Sequence, residues 1–403
     1  DVNISGYSQN GTGVRIDGTL FSVEGGRGVI STTRGDINIT GVGAFSSNST
    51  DGFGHGVVMD NAGLFSQDGN IAVRGLRQAG TQPGVGVLMQ NGARIATTGS
   101  GDIEVTGESL GNGGVGLATT AGITDPQLGN TPPATIDGNR NVVLRASNNG
   151  VADAIVLNGT VRAGQVLNLR PGGVDISTGA GVDRTADPIY LMGNPPPPPP
   201  PVFTEALFLA PPAPSTSSIG GYWISTDEMS RLTAGTMVVG GSTHAGDIQV
   251  LETLASSVPL TLQNNAGGNI NIWAPLSAPT LGLISGGDIS QAAGASVTAS
   301  TLLARSFGGN VILSDPGNNV SSTTLGGGAA GRFEFINSGA VRVGPVSVIG
   351  YDSAGNLPQV QSATSMAADT VLIRTLSGEL ILDTGVTTAN GAGLVAATTL
   401  RKP

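Results

Sequence analysis

The chain has no cysteine, a single lysine, little charge and few aromatics, and each shortage closes off a class of molecule. Without cysteine, neither a disulfide framework nor a thiolate metal site can form. Lys402 is the only lysine, and 28 acidic residues outweigh 18 basic ones to give a formal net charge of −10. There is no basic stripe to neutralise phosphates, so nucleic acid is a poor partner. No stretch reaches the roughly 20 apolar residues of a membrane-spanning helix. The most apolar short run, "ALFLAPPAP" (206–214), is broken by prolines. Charged residues make up only 11% of the chain and its mean hydropathy is slightly positive, the reverse of a disordered composition. With aromatics at 4%, the core must be built from Val, Ile, Leu and Ala. The chain opens on Asp1, already inside the strand-like "DVNIS", so the expectation is a processed or excerpted piece of something longer.

What is abundant is glycine, 65 of 403 residues, and it recurs at regular places. "PLTLQNNAGGNINIW", "PTLGLISGGDISQ" and "STLLARSFGGNVIL" each read as an alternating apolar segment, Gly-Gly, Asp or Asn, and a second alternating segment. Their spacing is about 20 residues, a repeat-architecture period. The amino-terminal part repeats "GDINITG", "GNIAVRG" and "GDIEVTG" at a longer step of about 30 to 34 residues. In "NINI", Ile270 and Ile272 point one way and Asn269 and Asn271 the other, as in a half-buried strand. The Gly-Asx step before it is turn chemistry. Such short, one-sided strands become stable when stacked, because each buries its apolar face on a shared core. The fold class expected is all-β, an elongated β-solenoid or parallel β-helix. Its 11 to 18 or so rungs of about 20 to 34 residues would form a rod of roughly 50 to 90 Å.

The residues opening the recurring strand are Asp36, Asn70, Asp102 and Asn141, then Asn269, Asp288 and Asn310. We expect them to lie in a column, with Asp and Asn alternating so that stacked carboxylates do not repel. A seven-proline run, 195–201, cannot donate to any ladder and favours polyproline II. It suggests one solenoid block over 1–186, a Pro-rich linker or excursion over 187–222, and a second block over 223–403.

That second block opens with the only credible helix, 226–233. Ser225 and Glu228 form a capping box, Met229 and Leu232 share a face, and Gly235 is placed to end it. The stretch "STDEMSRLTAGTMVVGGSTHAGDIQV" (225–250) resembles a recurring segment of filamentous-haemagglutinin-like large exoproteins of Gram-negative bacteria. Glu228, Arg231, Leu232, Ala234, Gly235, Gly246 and Ile248 carry the resemblance, with Met229 in place of a leucine. It covers about 220–400 well and the amino-terminal part only in style. The resemblance implies a right-handed β-helix, secretion, and a role in adhesion, aggregation or matrix building.

Motifs of enzyme chemistry are present but lack their context. "GNGGVG" (111–116) has the spacing of a dinucleotide fingerprint, yet nothing helical follows it. "GESLG" (107–111) has the form of a nucleophile elbow at Ser109, but the only histidines, His55 and His244, lie in Gly-rich or polar loops. Asp102 and Glu104 share a strand's outer face and read as a solvated pair. A polysaccharide lyase or hydrolase on the same fold is the enzyme alternative, and it would need several carboxylates gathered in a groove. We single out no catalytic, metal-ligating or cofactor-binding residue and expect no cofactor. The reading is a non-enzymatic, extracellular or cell-surface fibre segment. Its partners would be copies of itself or further repeats end to end, with a cell-surface or glycan ligand held by the longer loops. Arg74 and Arg77, in "RGLRQAGTQPG", are the expected exposed contacts.

Overall fold

The computed structural model describes the chain except residues 19–27, 45–53, 81–83, 112–113, 122, 126–128, 150–152, 176, 179, 192–220, 355, 391, 396–399 and 402–403. Its strands stack into a parallel β-solenoid. One rung shows the plan. Strand Leu276–Ser285 bends at Pro279, so its first residues lie on one side of the coil and 280–285 on the next. Gly286 and Gly287 turn the corner, and Ile289–Gln291 forms the remaining side. The chain then enters the following rung at Val297–Ser306, where Leu281 pairs with Leu302 and Leu276 with Val297.

We call the side holding 280–285 the first, that holding 276–278 the second and that holding 289–291 the third. The first two belong to one 22-stranded sheet, and the third to a five-stranded and a nine-stranded sheet. An inward row on the first side runs Ile37, Ile71, Ile103, Val142, Leu167, Met237, Leu260, Leu281, Leu302 and Leu325, each paired with the next. All ten are buried. Ladder hydrogen bonds satisfy the backbone and the apolar row fills the interior, so each rung depends on its neighbours.

The Asx positions do stack, but as two columns at two different corners. Asp36, Asn70, Asp102 and Asn141 precede first-side strands; Asn269, Asp288 and Asn310 precede third-side strands. In each column a side-chain oxygen accepts the backbone N–H of the Asx one rung on. Asp36 Oδ1 accepts from Asn70 (2.7 Å, 34 residues later), and Asn70 Oδ1 from Asp102 (3.0 Å, 32 residues later). In the shorter rungs Asn269 Oδ1 accepts from Asp288 (2.8 Å, 19 residues) and Asp288 Oδ1 from Asn310 (2.6 Å, 22 residues). Strict alternation is not the rule, since Asp1 and Asp36 are consecutive members (3.0 Å). Asp and Asn carry the same oxygen, so both serve; where Asn follows Asp, its amide adds a second bond, as from Asn310 Nδ2 to Asp288 (3.0 Å). The preceding glycine is required by close approach, because a Cβ at Gly287 would lie 2.4 Å from Asn269 Oδ1. Asp288→Ala should therefore cost about 1 kcal/mol in urea denaturation, while Asp288→Asn should cost much less. Equal losses for the two variants would refute the acceptor role.

The helix is real but shorter than expected. Helix α1 (Thr226–Ser230) has its capping box, with Glu228 N–H donating to Ser225 Oγ (3.2 Å) and Ser225 N–H to Glu228 Oε2 (2.8 Å). Leu232 and Gly235 lie beyond it in strand Leu232–Gly241, because tertiary pairing claims those residues for the sheet. That strand hydrogen-bonds directly to Thr160–Val174, Val161 opposite Leu232. The stacking thus crosses the Pro-rich segment rather than stopping for it. Both ends of the expected linker are strands, Ile189–Leu191 and Tyr222–Ile224, and they pair with each other. The intervening prolines lie outside the described residues.

This return leaves a stacking fault on the third side. The order there is Ile155–Leu157, Tyr222–Ile224, Ile189–Leu191, Ile248–Val250, so the chain comes back one layer behind the point where it left. Among the described residues, Ile155–Leu157 and Tyr222–Ile224 are joined by no ladder beyond a bridge between Asp153 and Gly221. Helix α1 fills the gap. Glu228 Oε1 accepts the Leu157 N–H (2.8 Å), and Arg231 Nη1 donates to the Leu157 carbonyl (3.1 Å). The charged helix in this charge-poor chain, with Arg231 at its end, supplies hydrogen bonds in place of those that the fault removes from the ladder.

Candidate functional site

Charge gathers at one place, on the outward side of the first side. Arg74, Thr106, Arg145 and Arg170 occupy one register position on four successive strands, with Glu104 two residues before Thr106. Glu104 accepts from Arg74 (3.0 Å) and Arg145 (2.5 Å). Asp183 Oδ1 lies 2.9 Å from Arg170 Nε and 3.1 Å from Arg145 Nε. Glu108 is engaged by Arg184 and by the Val174 N–H (2.8 Å). Arg145 and Arg170 are almost wholly removed from solvent. Burial, and next the neighbouring Arg170, lower the pKa of Arg145 from its usual value.

Two antiparallel covers create this burial. The chain leaving the first side folds back as Gly172–Val174 against Gly181–Asp183. Val174 there packs on Val42 and Leu76. From the other end comes a hairpin, Val346–Asp352 paired with Leu357–Ala363. Its Val346 and Val348 pack on Ile284 and Leu303, and its Tyr351 on Val143, Val166 and Val238. At its tip, Asn356 Oδ1 accepts from Arg170 Nη2 (2.9 Å) and Arg145 Nη2 (3.2 Å). Burial raises the Tyr351 phenol, which donates to the Asn356 carbonyl (2.9 Å).

The structure corrects the expectations for Arg74, Arg77 and Glu104 and places the other residues singled out in the sequence. Arg77 is fully buried and Arg74 is held by Glu104, so neither is a free surface contact. Glu104 is an ion-pair partner under a cover and not part of a solvated pair with Asp102, which belongs to the Asx column. Ser109 is buried in strand Ile103–Gly111 and donates to the Gly84 carbonyl (2.9 Å). Where a dinucleotide fingerprint needs a helix, strand Val115–Thr119 follows. His55 Nδ1 accepts the Val85 N–H (3.0 Å) at a corner. The common column of Arg74, Arg145 and Arg170 went unread in the sequence, although "AVRG", "VLRA" and "NLRP" carry its signal at one repeat position. Asp183 and Asn356 had no such signal, because they arrive from outside the repeat.

His244 lies near this cluster, buried, with no partner for Nε2 among the described residues. Burial lowers its pKa to about 4; Asp183 pulls it up and Arg170 down. Its folded value lies below the ordinary 6.5, so as pH falls from 6.5 towards 4 the unfolded chain takes up a proton that the folded chain refuses. Stability is lost on acidification through that window, by at most about 3 kcal/mol. The dependence of the urea midpoint on pH between 6.5 and 4.5 should flatten in His244→Gln. An unchanged slope would exclude His244 as its source.

Chemically, Glu104, Glu108 and Asp183 each accept from guanidinium or backbone donors, so the cluster is arranged to hold covers in place. Comparison with known proteins found no matching family model, curated protein or solved structure.

Proposed function

We propose that the chain is a structural and adhesive segment of an extracellular fibre, on the pattern of the filamentous-haemagglutinin-like exoproteins it resembles. The observation that supports this reading is the unbroken inward row from Ile37 to Leu325, one core shared by rung after rung. A coil built this way extends along one axis and resists bending, which suits spanning distance from a cell surface. Further coils or copies of the chain are the partners such a fibre engages.

Ligand contact falls on the second and third sides, since the covers take up much of the first. On the second side Ser277, Thr298 and Asn319 are outward residues paired on successive strands, and Thr298 and Asn319 are exposed. Uncharged hydroxyl and amide groups in a flat row suit a glycan. The test is to image the purified chain by electron microscopy and measure its binding to immobilised glycans and cells, alongside turnover on a polysaccharide panel. Rods that bind without turnover support the reading, with binding weakened in Thr298→Arg. Cleavage of any polysaccharide would overturn it in favour of a lyase or hydrolase.

A further inference from the structure

We infer that the 346–363 hairpin is a splint that holds the coil rigid across its stacking fault. The weak level lies between Thr160–Val174 and Leu232–Gly241. The third-side ladder is interrupted there, and the pairing of these two strands carries a register shift between Ala163 and Val166. An interrupted ladder is where a solenoid bends first, because each rung is held only by its neighbours.

The hairpin crosses this level along the coil axis. Its foot is fixed on the later rungs by Val346 and Val348 against Ile284 and Leu303. Midway, Thr261 Oγ1 donates to the Ile349 carbonyl (2.6 Å) and Gln263 Oε1 accepts the Tyr351 N–H (2.7 Å). Past the fault, Tyr351 covers Val238 from the later side together with Val166 and Val143 from the earlier side. Arg170 stands over its ring at 5.1 Å, and Asn356 binds Arg145, 211 residues away in sequence. One stiff two-stranded element is thus anchored on both sides of the joint.

Two further details fit a cover fitted to its seat. Gly282 leaves room for the hairpin, since a Cβ there would lie 2.9 Å from Val348 Cγ2. Tyr351 sends its N–H to Gln263, away from the partner strand, so the residue opposite it, Pro358, presents its donor-less nitrogen to the hairpin's free edge. That edge is blunted against pairing with another chain.

The test is native-state hydrogen exchange on the intact chain with anchors removed singly. Tyr351→Ala cuts the anchor past the fault, and Val348→Ala cuts one before it. The first should speed exchange at Leu157, Ile189–Leu191 and Tyr222–Ile224 by about ten-fold or more. The second should speed exchange around Ile284 and Leu303 and leave the fault residues unchanged. If Tyr351→Ala does not fold, Asn356→Ala gives the same contrast at the tip alone. Unchanged exchange at the fault in the tip variants, or equal acceleration by both anchor classes, would overturn the splint.

Discussion

Replacing Asp183 with asparagine should cost the fold about 3–5 kcal/mol. The variant keeps the shape of the side chain and removes its charge. Arg170 and Arg145 both lie against the same Asp183 oxygen, and their side chains are 2% and 6% exposed. Loss of that carboxylate leaves two buried guanidiniums close together, with Glu104 as the remaining carboxylate on Arg145. Water cannot solvate them where they are, so the covers must lift to let it in. Urea denaturation of Asp183→Asn against the parent checks the magnitude. A control comes from Asp137, whose pairs with Arg94 and Arg162 are substantially exposed. Asp137→Asn should cost well under 1 kcal/mol, because solvent screens those pairs. Comparable losses at the two sites would mean the buried cluster is not what the coil depends on.

Truncation of Phe335 to alanine should be comparably severe, at about 3–5 kcal/mol. Phe335 has no exposed surface, and its strand pairs with Leu313 on one side and Ile373 on the other. In a chain so poor in aromatics, Phe333 and Phe335 fill a stretch of the core that Leu or Ile fills elsewhere. A cavity there removes contacts from two rungs at once. Because a solenoid's stability is close to a sum of rung and neighbour terms, the damage should be local. Hydrogen exchange should rise in the strands holding Leu313 and Ile373 and stay unchanged around Ile37 and Ile71. Uniform acceleration along the whole chain would show a single cooperative unit instead.

Between them the two variants separate the molecule's two kinds of cohesion. Phe335 tests the inward core that the repeats build. Asp183 tests the outward clasp, which the repeats do not contain. The Asp288 variants and the His244 pH slope probe smaller contributions from the corners and from a buried neutral imidazole.

The repeat itself was legible from single residues. Alternation such as Ile270/Ile272 placed the inward faces of the strands, and Gly-Asx steps placed the corners. Those rules are local and recur, so a short window suffices to read them. The capping box at Ser225 and Glu228 was legible for the same reason. The helix's purpose was not: Glu228 accepts the N–H of Leu157, a residue 71 positions earlier. The outer surface misled in the same way. Val238, Ile284 and Leu303 sit at outward positions of their strands, where a cleanly alternating strand would carry polar residues. Together with Gly282 they are the seat of the hairpin. Arg74 and Arg77 looked exposed because charge in a loop-like stretch usually is; instead the strand buries Arg77, and an ion pair with Glu104 holds Arg74 half-buried.

The sequence by itself determined the all-β class, the coil's period and the Asx residues that stack at its corners, because each follows from residues within one rung or its immediate successor. The tertiary structure alone decided that stacking crosses the Pro-rich segment, that a fault results, and that a distant hairpin and a buried charge cluster cover the first side. Those outcomes depend on which remote surfaces meet, and a contact spanning 211 residues leaves no periodic trace in the chain that makes it.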